Sequence, residues 1–241
     1  MTFLARLALI LCLLPGVAAA RASPFRAVLV GGDKDLPVFD NATAAMRRLL
    51  IARGIAPDDI QRLSATPAVI AQDKLPPSGE KNVLDAIRGL HPTQGQGCLV
   101  FVTSHGVPGD GLMLALNDEF LTPAALDKAL VQGCGDAPTI VIASGCYSGG
   151  FARAPMARTN RIILTAARAN RPSFGCDAGR EFTVYDLCLL RTLEEARTWR
   201  DVHANVRACV SQAERRFDFP ASFPQASFGK AVATLAVPVR P

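Results

Sequence analysis

The chain has 241 residues, 49% of them apolar, and a formal net charge of +5 carried mostly by arginine. That length fits one large domain or two small ones, with ample apolar side chains for a core. The arginines are scattered, with no dense Lys/Arg tract and no aromatic interleaving, so the charge does not point to nucleic acid.

Residues 1–22 come first in chain order. Arg6 precedes an apolar run from Leu7 to Leu14, Pro15 and Gly16 break it, and Ala18–Ala20 are small. This is the pattern of a cleavable secretory signal, and the run is too short to span a bilayer comfortably. Bulky Leu-Ile-Leu before Cys12 argues against a lipid anchor there. The expected organisation is a signal peptide over 1–22 and one domain over 23–241. The expected location is periplasmic or secreted, with no stable membrane insertion after cleavage. Export implies an oxidising compartment. Six cysteines remain after the signal: Cys98, Cys134, Cys146, Cys176, Cys188 and Cys209. Cys188 and Cys209 fall on adjacent predicted helices, where they can pair. There is no C-x-x-C and no close His/Cys cluster, so no structural metal is expected.

The mature chain alternates apolar runs with helical patterns. Residues 25–32 read as a buried strand ending in glycines. Residues 40–54 read as a helix capped by Asp40 or Asn41, with Met46, Leu49 and Leu50 on its apolar stripe and Gly54 as its stop. A short strand is expected at 60–65, a loop at 72–80, a helix at 80–90 and a third strand at 98–104. The glycine-rich stretch 106–116 suggests a short hairpin. Thr122 and Pro123 open a helix over 122–133. Strands follow at 139–144 and 161–167, then helices at 182–196 and 199–217, and an edge strand at 229–237. Uninterrupted apolar strands alternating with helices mean an α/β sandwich around a mostly parallel sheet of about six strands.

In such sheets the working residues gather at the carboxyl ends of the strands. Two short motifs stand there. Ser104-His105-Gly106 ends the third strand, and Gly145-Cys146-Tyr147-Ser148-Gly149 ends the fourth. If those strands are neighbours, a thiolate at Cys146 can attack a carbonyl carbon and His105 can protonate the leaving amine. The amides of Gly106 and Cys146 can serve the developing oxyanion. Glycine at 106 would let a substrate carbonyl approach, and Gly145, Gly149 and Gly150 would keep the far wall open. An isolated cysteine is often an inert core residue, and a strand-end histidine is often a turn residue; the two motifs together argue against both. His91, before Pro92, reads as a turn residue and His203 as a structural mid-helix histidine.

With "FVTSHG", "CYSGGF" and "ILTAARANRPSFGC" in this order, the chain closely resembles the legumain family of cysteine peptidases, of the caspase-like clan, and in particular its exported bacterial members. The resemblance implies a caspase-like three-layer α/β/α fold and a cysteine endopeptidase. His105 would be the catalytic histidine, Cys146 the nucleophile, and Gly106 with the Cys146 amide the oxyanion hole. It implies no metal and no organic cofactor, and a peptide or protein as partner. Two departures bear on specificity. Ser144 stands where legumains carry a glutamate two residues before the nucleophile. The loop after the first strand has Asp33, Asp35 and Asp40 where they carry an arginine. Asparaginyl specificity therefore does not carry over, and Asp40, Ser144, Gly145 and Ser148 are the expected substrate-binding positions. An acidic Asp40 pocket would favour Lys or Arg at the cleaved position; a helix cap is the plainer role. The long C-terminal prodomain of animal and plant legumains is not expected. A peptide ligase or transamidase would use the same acyl-enzyme, and a non-catalytic binding module would use the fold without the chemistry.

Overall fold

The computed structural model describes residues 23–114, 118–177 and 179–238. The signal-peptide expectation falls on residues 1–22 and lies outside them. The order is β1 (Phe25–Gly31), α1 (Pro37–Ala52), β2 (Ile60–Leu63), α2 (Pro67–Asp73), α3 (Glu80–Arg88), β3 (Gly97–Thr103), β4 (Gly106–Val107), β5 (Gly111–Leu114) and β6 (Glu119–Leu121). Then come α4 (Pro123–Cys134), β7 (Thr139–Ser144), β8 (Arg161–Thr165), α5 (Val184–Leu193), α6 (Trp199–Arg216) and β9 (Gln225–Phe228).

The main sheet has six strands in the order β2-β1-β3-β7-β8-β9. The first five run parallel and β9 pairs antiparallel with β8. The central strands are buried on both faces because their side chains alternate between two cores. Ala27, Leu29, Leu99, Phe101, Ile140, Ile142, Ile162 and Leu164 pack against α1, α5 and α6. Val28, Val30, Val100, Val102, Val141, Ala143 and Ile163 pack against α3 and α4. The same core takes Leu112, Leu114 and Leu121 from a small three-stranded antiparallel sheet, β4-β5-β6. Each such large side chain contributes on the order of 1.5–3 kcal/mol of burial.

Several local expectations change. Helix α1 opens at Pro37, with Leu36 as N-cap and no side-chain cap bond. Asp40 therefore lies inside the first turn and caps nothing; proline, with its fixed φ and no N–H to lose, starts the helix earlier. Helix α2 takes the first two residues of the loop expected at 72–80 together with 67–71, for which no element is expected. The last strand is β9, and residues 229–237 turn back instead of extending. Thr122 does cap α4, accepting from the Ala125 amide. Cys188 and Cys209 pair, joining α5 to α6, and Cys98 pairs with Cys134, joining the start of β3 to the end of α4.

Candidate active site

The sheet order makes β3 and β7 neighbours, with Thr103 opposite Ser144. The Ser104 amide extends the ladder by one bond to Ser144 O at 3.0 Å. His105 and Cys146 thus leave the sheet side by side, at the carboxyl ends of adjacent parallel strands. Both line one pocket, with Phe39, Ser104, Ser144, Gly145, Ser173, Phe174, Cys176 and Thr183.

Each is held by its own contacts. His105 O accepts from the Met113 amide at 2.8 Å, and the Ser104 hydroxyl donates to Met113 O at 2.6 Å. The β4-β5 hairpin therefore fixes the turn carrying the imidazole. The ring packs T-shaped with Phe39 of α1, with centroids 5.2 Å apart and planes at 77°. The Cys146 sulfur is a free thiol, half-buried. It accepts from the Ser173 amide at 3.2 Å and donates to Ser173 O at 3.5 Å. Tyr147 turns the chain sharply at φ 57, and its amide donates to Arg171 O at 2.8 Å. A nucleophile on such a turn points out of the sheet instead of into the core.

The glycines do not serve the purpose their position suggests. A Cβ at Gly106 would collide with the Cys146 carbonyl oxygen and sit 3.1 Å from its amide nitrogen. One at Gly145 would meet Leu112 Cδ2 at 2.5 Å and Ser104 O at 2.6 Å, and one at Gly149 would strike the backbone of 167–169. The chain's own backbone fills the clearance at these three positions. Of Gly106, Gly145, Gly149 and Gly150, Gly150 alone faces open space. The close approach places the Gly106 and Cys146 peptide units against one another, so two amides share one small region beside the thiol.

The expected substrate-binding residues divide. Ser144 and Gly145 line the pocket. Ser148 is buried, donating to Gly145 O at 2.8 Å and accepting from the Ala167 amide at 3.3 Å, so its hydroxyl braces the loop and is not offered to a ligand. Asp40 is also buried and accepts from the Thr66 hydroxyl at 2.6 Å. It faces the end of β2, away from the pocket lining, and burial raises its pKa above the ordinary value against the pull of Thr66, Ser64 and Arg62. Asp33 accepts from the Asp35 and Leu36 amides and shapes the turn into α1.

Sequence reasoning missed Asp186. It is fully buried behind Ser144 and Thr183, and its Oδ2 accepts from the Thr103 hydroxyl at 2.6 Å. Burial pushes its pKa up, partly offset by hydrogen bonds with Thr103, Ser144 and Thr183. It ties α5 to both strands that carry the motifs. In sequence it stands three residues after Thr183, the cap of α5, and reads as a capping partner only; its amide does bond Thr183. Cys176 was also missed as a pocket residue. Its thiol is free, and burial followed by the charge at Cys146 pushes it up.

Among the described residues no group of three or more His, Cys, Asp or Glu side chains is placed to hold a metal ion. In the same residues no helix is long and apolar enough to cross a membrane.

Comparison with known proteins points the same way. The model of the peptidase C13 family matches residues 68–217. The crystal structure of caspase-1 from Spodoptera frugiperda superposes with a TM-score of 0.60 over 86% of this chain and 87% of that chain, at 13% identity. At that identity the match speaks for the fold alone, and the fold is caspase-like. Comparison with curated proteins gives no match.

Proposed function

Because the chain belongs to the peptidase C13 family, a family of cysteine peptidases with a caspase-like fold, we propose that it is an exported endopeptidase acting through Cys146 and His105. The observation that carries this reading is a free thiol and an imidazole at adjacent strand ends, lining one pocket, in a chain where four of the six described cysteines are paired.

The Cys146 thiol gives its proton to His105 as the sulfur attacks the carbonyl carbon of a peptide bond, forming a C–S bond while the C=O π pair moves onto the oxygen as an oxyanion. The amides of Gly106 and Cys146 stabilise that oxygen, and the low dielectric of the pocket strengthens them. As the intermediate collapses, the C–N bond breaks and His105 gives its proton to the departing amine. A thioester remains. Water then attacks it while His105 takes the proton, the C–S bond breaks, and the acid product leaves with the thiol restored. The T-shaped contact with Phe39 sets the imidazole plane, and Ser173 on the sulfur sets its direction. No lysine, arginine, aspartate or glutamate lines the pocket. With Asp40 turned toward Thr66, the pocket holds no carboxylate for a basic side chain.

The two disulfides support export, since such bonds persist in oxidising compartments. The test is hydrolysis of a mixed peptide library by the disulfide-intact protein. Loss of hydrolysis in both Cys146→Ala and His105→Ala, by about 100-fold or more for the histidine, is the expected result. Products joined to an added amine in place of water would mark the transamidase outcome. Unchanged hydrolysis in either variant would refute the dyad.

A further inference from the structure

The segment 166–173 leaves β8 and crosses in front of Cys146. It is pinned there by backbone bonds: Tyr147 N to Arg171 O at 2.8 Å, Arg171 N to Arg168 O at 3.0 Å, and Ser173 N to the Cys146 sulfur at 3.2 Å. Arg171 lies two residues from Ser173, within about 7 Å of chain. Its position relative to the sulfur is therefore set by the backbone that holds the sulfur.

Arg168 and Arg171 both turn their guanidinium groups onto one ring. Their central carbons lie 4.7 Å and 5.8 Å from the centroid of Phe223. All three residues are exposed. Phe223 takes φ 55, in the left-handed region, and the neighbouring backbone is anchored. The Arg168 amide donates to Ser222 O at 2.9 Å, and the Ser222 amide donates to Glu214 Oε1 at 2.8 Å. An exposed aromatic in that conformation costs strain, which the surrounding bonds maintain.

The charge balance gives the shelf its meaning. Three arginines elsewhere have carboxylate partners: Arg158 and Arg161 bind Asp127 at 2.8 Å and 2.6 Å, and Arg62 binds Asp73 at 3.0 Å. Among the described residues neither Arg168 nor Arg171 has a carboxylate within 4.0 Å. The ring attracts each cation, but it leaves two positive charges together beside the cleft. A carboxylate relieves that repulsion and takes paired N–H donors from either guanidinium.

We propose that Arg168, Arg171 and Phe223 form a subsite for an aspartate or glutamate side chain of the substrate, one to a few positions from the scissile bond. The pocket at Cys146 contains no arginine and holds a different residue of the peptide. The proposal rests on the peptidase reading for its substrate, but its test does not require turnover.

The experiment measures protection of Cys146 from iodoacetamide by three blocked hexapeptides, carrying Asp and Glu, Asn and Gln, or Lys and Arg at the same positions. The wild-type protein is compared with R168Q/R171Q and with R168E/R171E, all at low salt. The acidic peptide should protect roughly tenfold better than its neutral counterpart, and the preference should shrink at high salt. R168Q/R171Q should abolish it, and R168E/R171E should invert it towards a Lys/Arg hexapeptide. These are exposed side chains, and an unchanged near-UV spectrum confirms the fold of each variant. Equal protection by the acidic and neutral peptides, or a preference that survives R168Q/R171Q, overturns the subsite. So does absence of protection by either peptide. If library hydrolysis is intact in that case, the peptidase reading stands without the subsite. Acid-selective protection with no hydrolysis would leave the subsite and refute the peptidase.

Discussion

At Gly106 one hydrogen atom decides the geometry of the site. A methyl group there has nowhere to go, because the Cys146 carbonyl occupies its place. Gly106→Ala is therefore expected to push the His105 turn away from the Cys146 turn. Overpacking of this kind costs about 1–3 kcal/mol, which thermal unfolding would read as a lower Tm. Alkylation of Cys146 should change with it. An alanine variant with wild-type Tm and wild-type reactivity would contradict the packing described. Asp186 gives a second prediction at this scale. Its folded pKa is raised, so the unfolded chain ionises first as pH rises above 3.8. Its contribution to stability is full below that pH and is lost as pH rises through the folded value. Asp186→Asn keeps an acceptor for Thr103 and cannot ionise. Denaturant unfolding of this variant should fall off less steeply with pH above 4 than that of the wild type. Asp186→Ala leaves buried hydroxyls without a partner and should cost about 1–3 kcal/mol.

At the scale of elements, β3 and β7 deliver the two motifs, and each is secured from behind. The Cys98–Cys134 bond fixes the start of β3 to α4, at the end of the sheet opposite the site. The chain-entropy estimate for a separation of 36 residues is roughly 4 kcal/mol, and for the 21 residues between Cys188 and Cys209 roughly 3 kcal/mol. Cys98→Ala/Cys134→Ala should lower the urea midpoint markedly while leaving the Cys146 alkylation rate near the wild-type value. An unchanged midpoint would show that the bond does not contribute. The elements themselves were largely readable. Long apolar runs such as Leu99–Val102 and Ile140–Ala143 specify buried parallel strands without help from distant residues. Thr122-Pro123 specifies a helix start in the same local way. What sequence could not show is set by distant contacts. Asp40 reads as a cap until Pro37 is seen to open the helix earlier. Ser148 reads as a substrate group until its hydroxyl is found on Gly145 O and Ala167 N. Gly145 and Gly149 beside Cys146 read as open wall, yet backbone from 104–106 and 167–169 fills them. The pairing of Cys188 with Cys209 was legible from adjacent amphipathic helices; that of Cys98 with Cys134 depends on where α4 crosses the sheet.

For the whole molecule, one sheet organises two cores and leaves its carboxyl edge for the chemistry. The α1-α5-α6 layer also holds a pH-sensitive group. His203 on α6 is depressed to about 4, first by burial and then by Arg207, and its ring packs edge-on to Phe228. A depressed histidine stabilises the fold fully above its unfolded pKa of 6.5, and this contribution is lost as pH falls towards 4. His203→Gln should therefore show a smaller loss of stability between pH 6.5 and 4 than the wild type; an equal loss would remove His203 as the cause. The candidate site shares no residue with this group.

The central claim is that His105 makes Cys146 a nucleophile, and the most direct measurement is the iodoacetamide alkylation rate at each free cysteine, mapped by mass in the disulfide-intact protein. The account predicts that Cys146 reacts well before Cys176, whose thiol is held in its neutral form, and that His105→Ala slows Cys146 by about tenfold or more. Equal rates at the two cysteines, or a Cys146 rate that His105→Ala leaves unchanged, would contradict it.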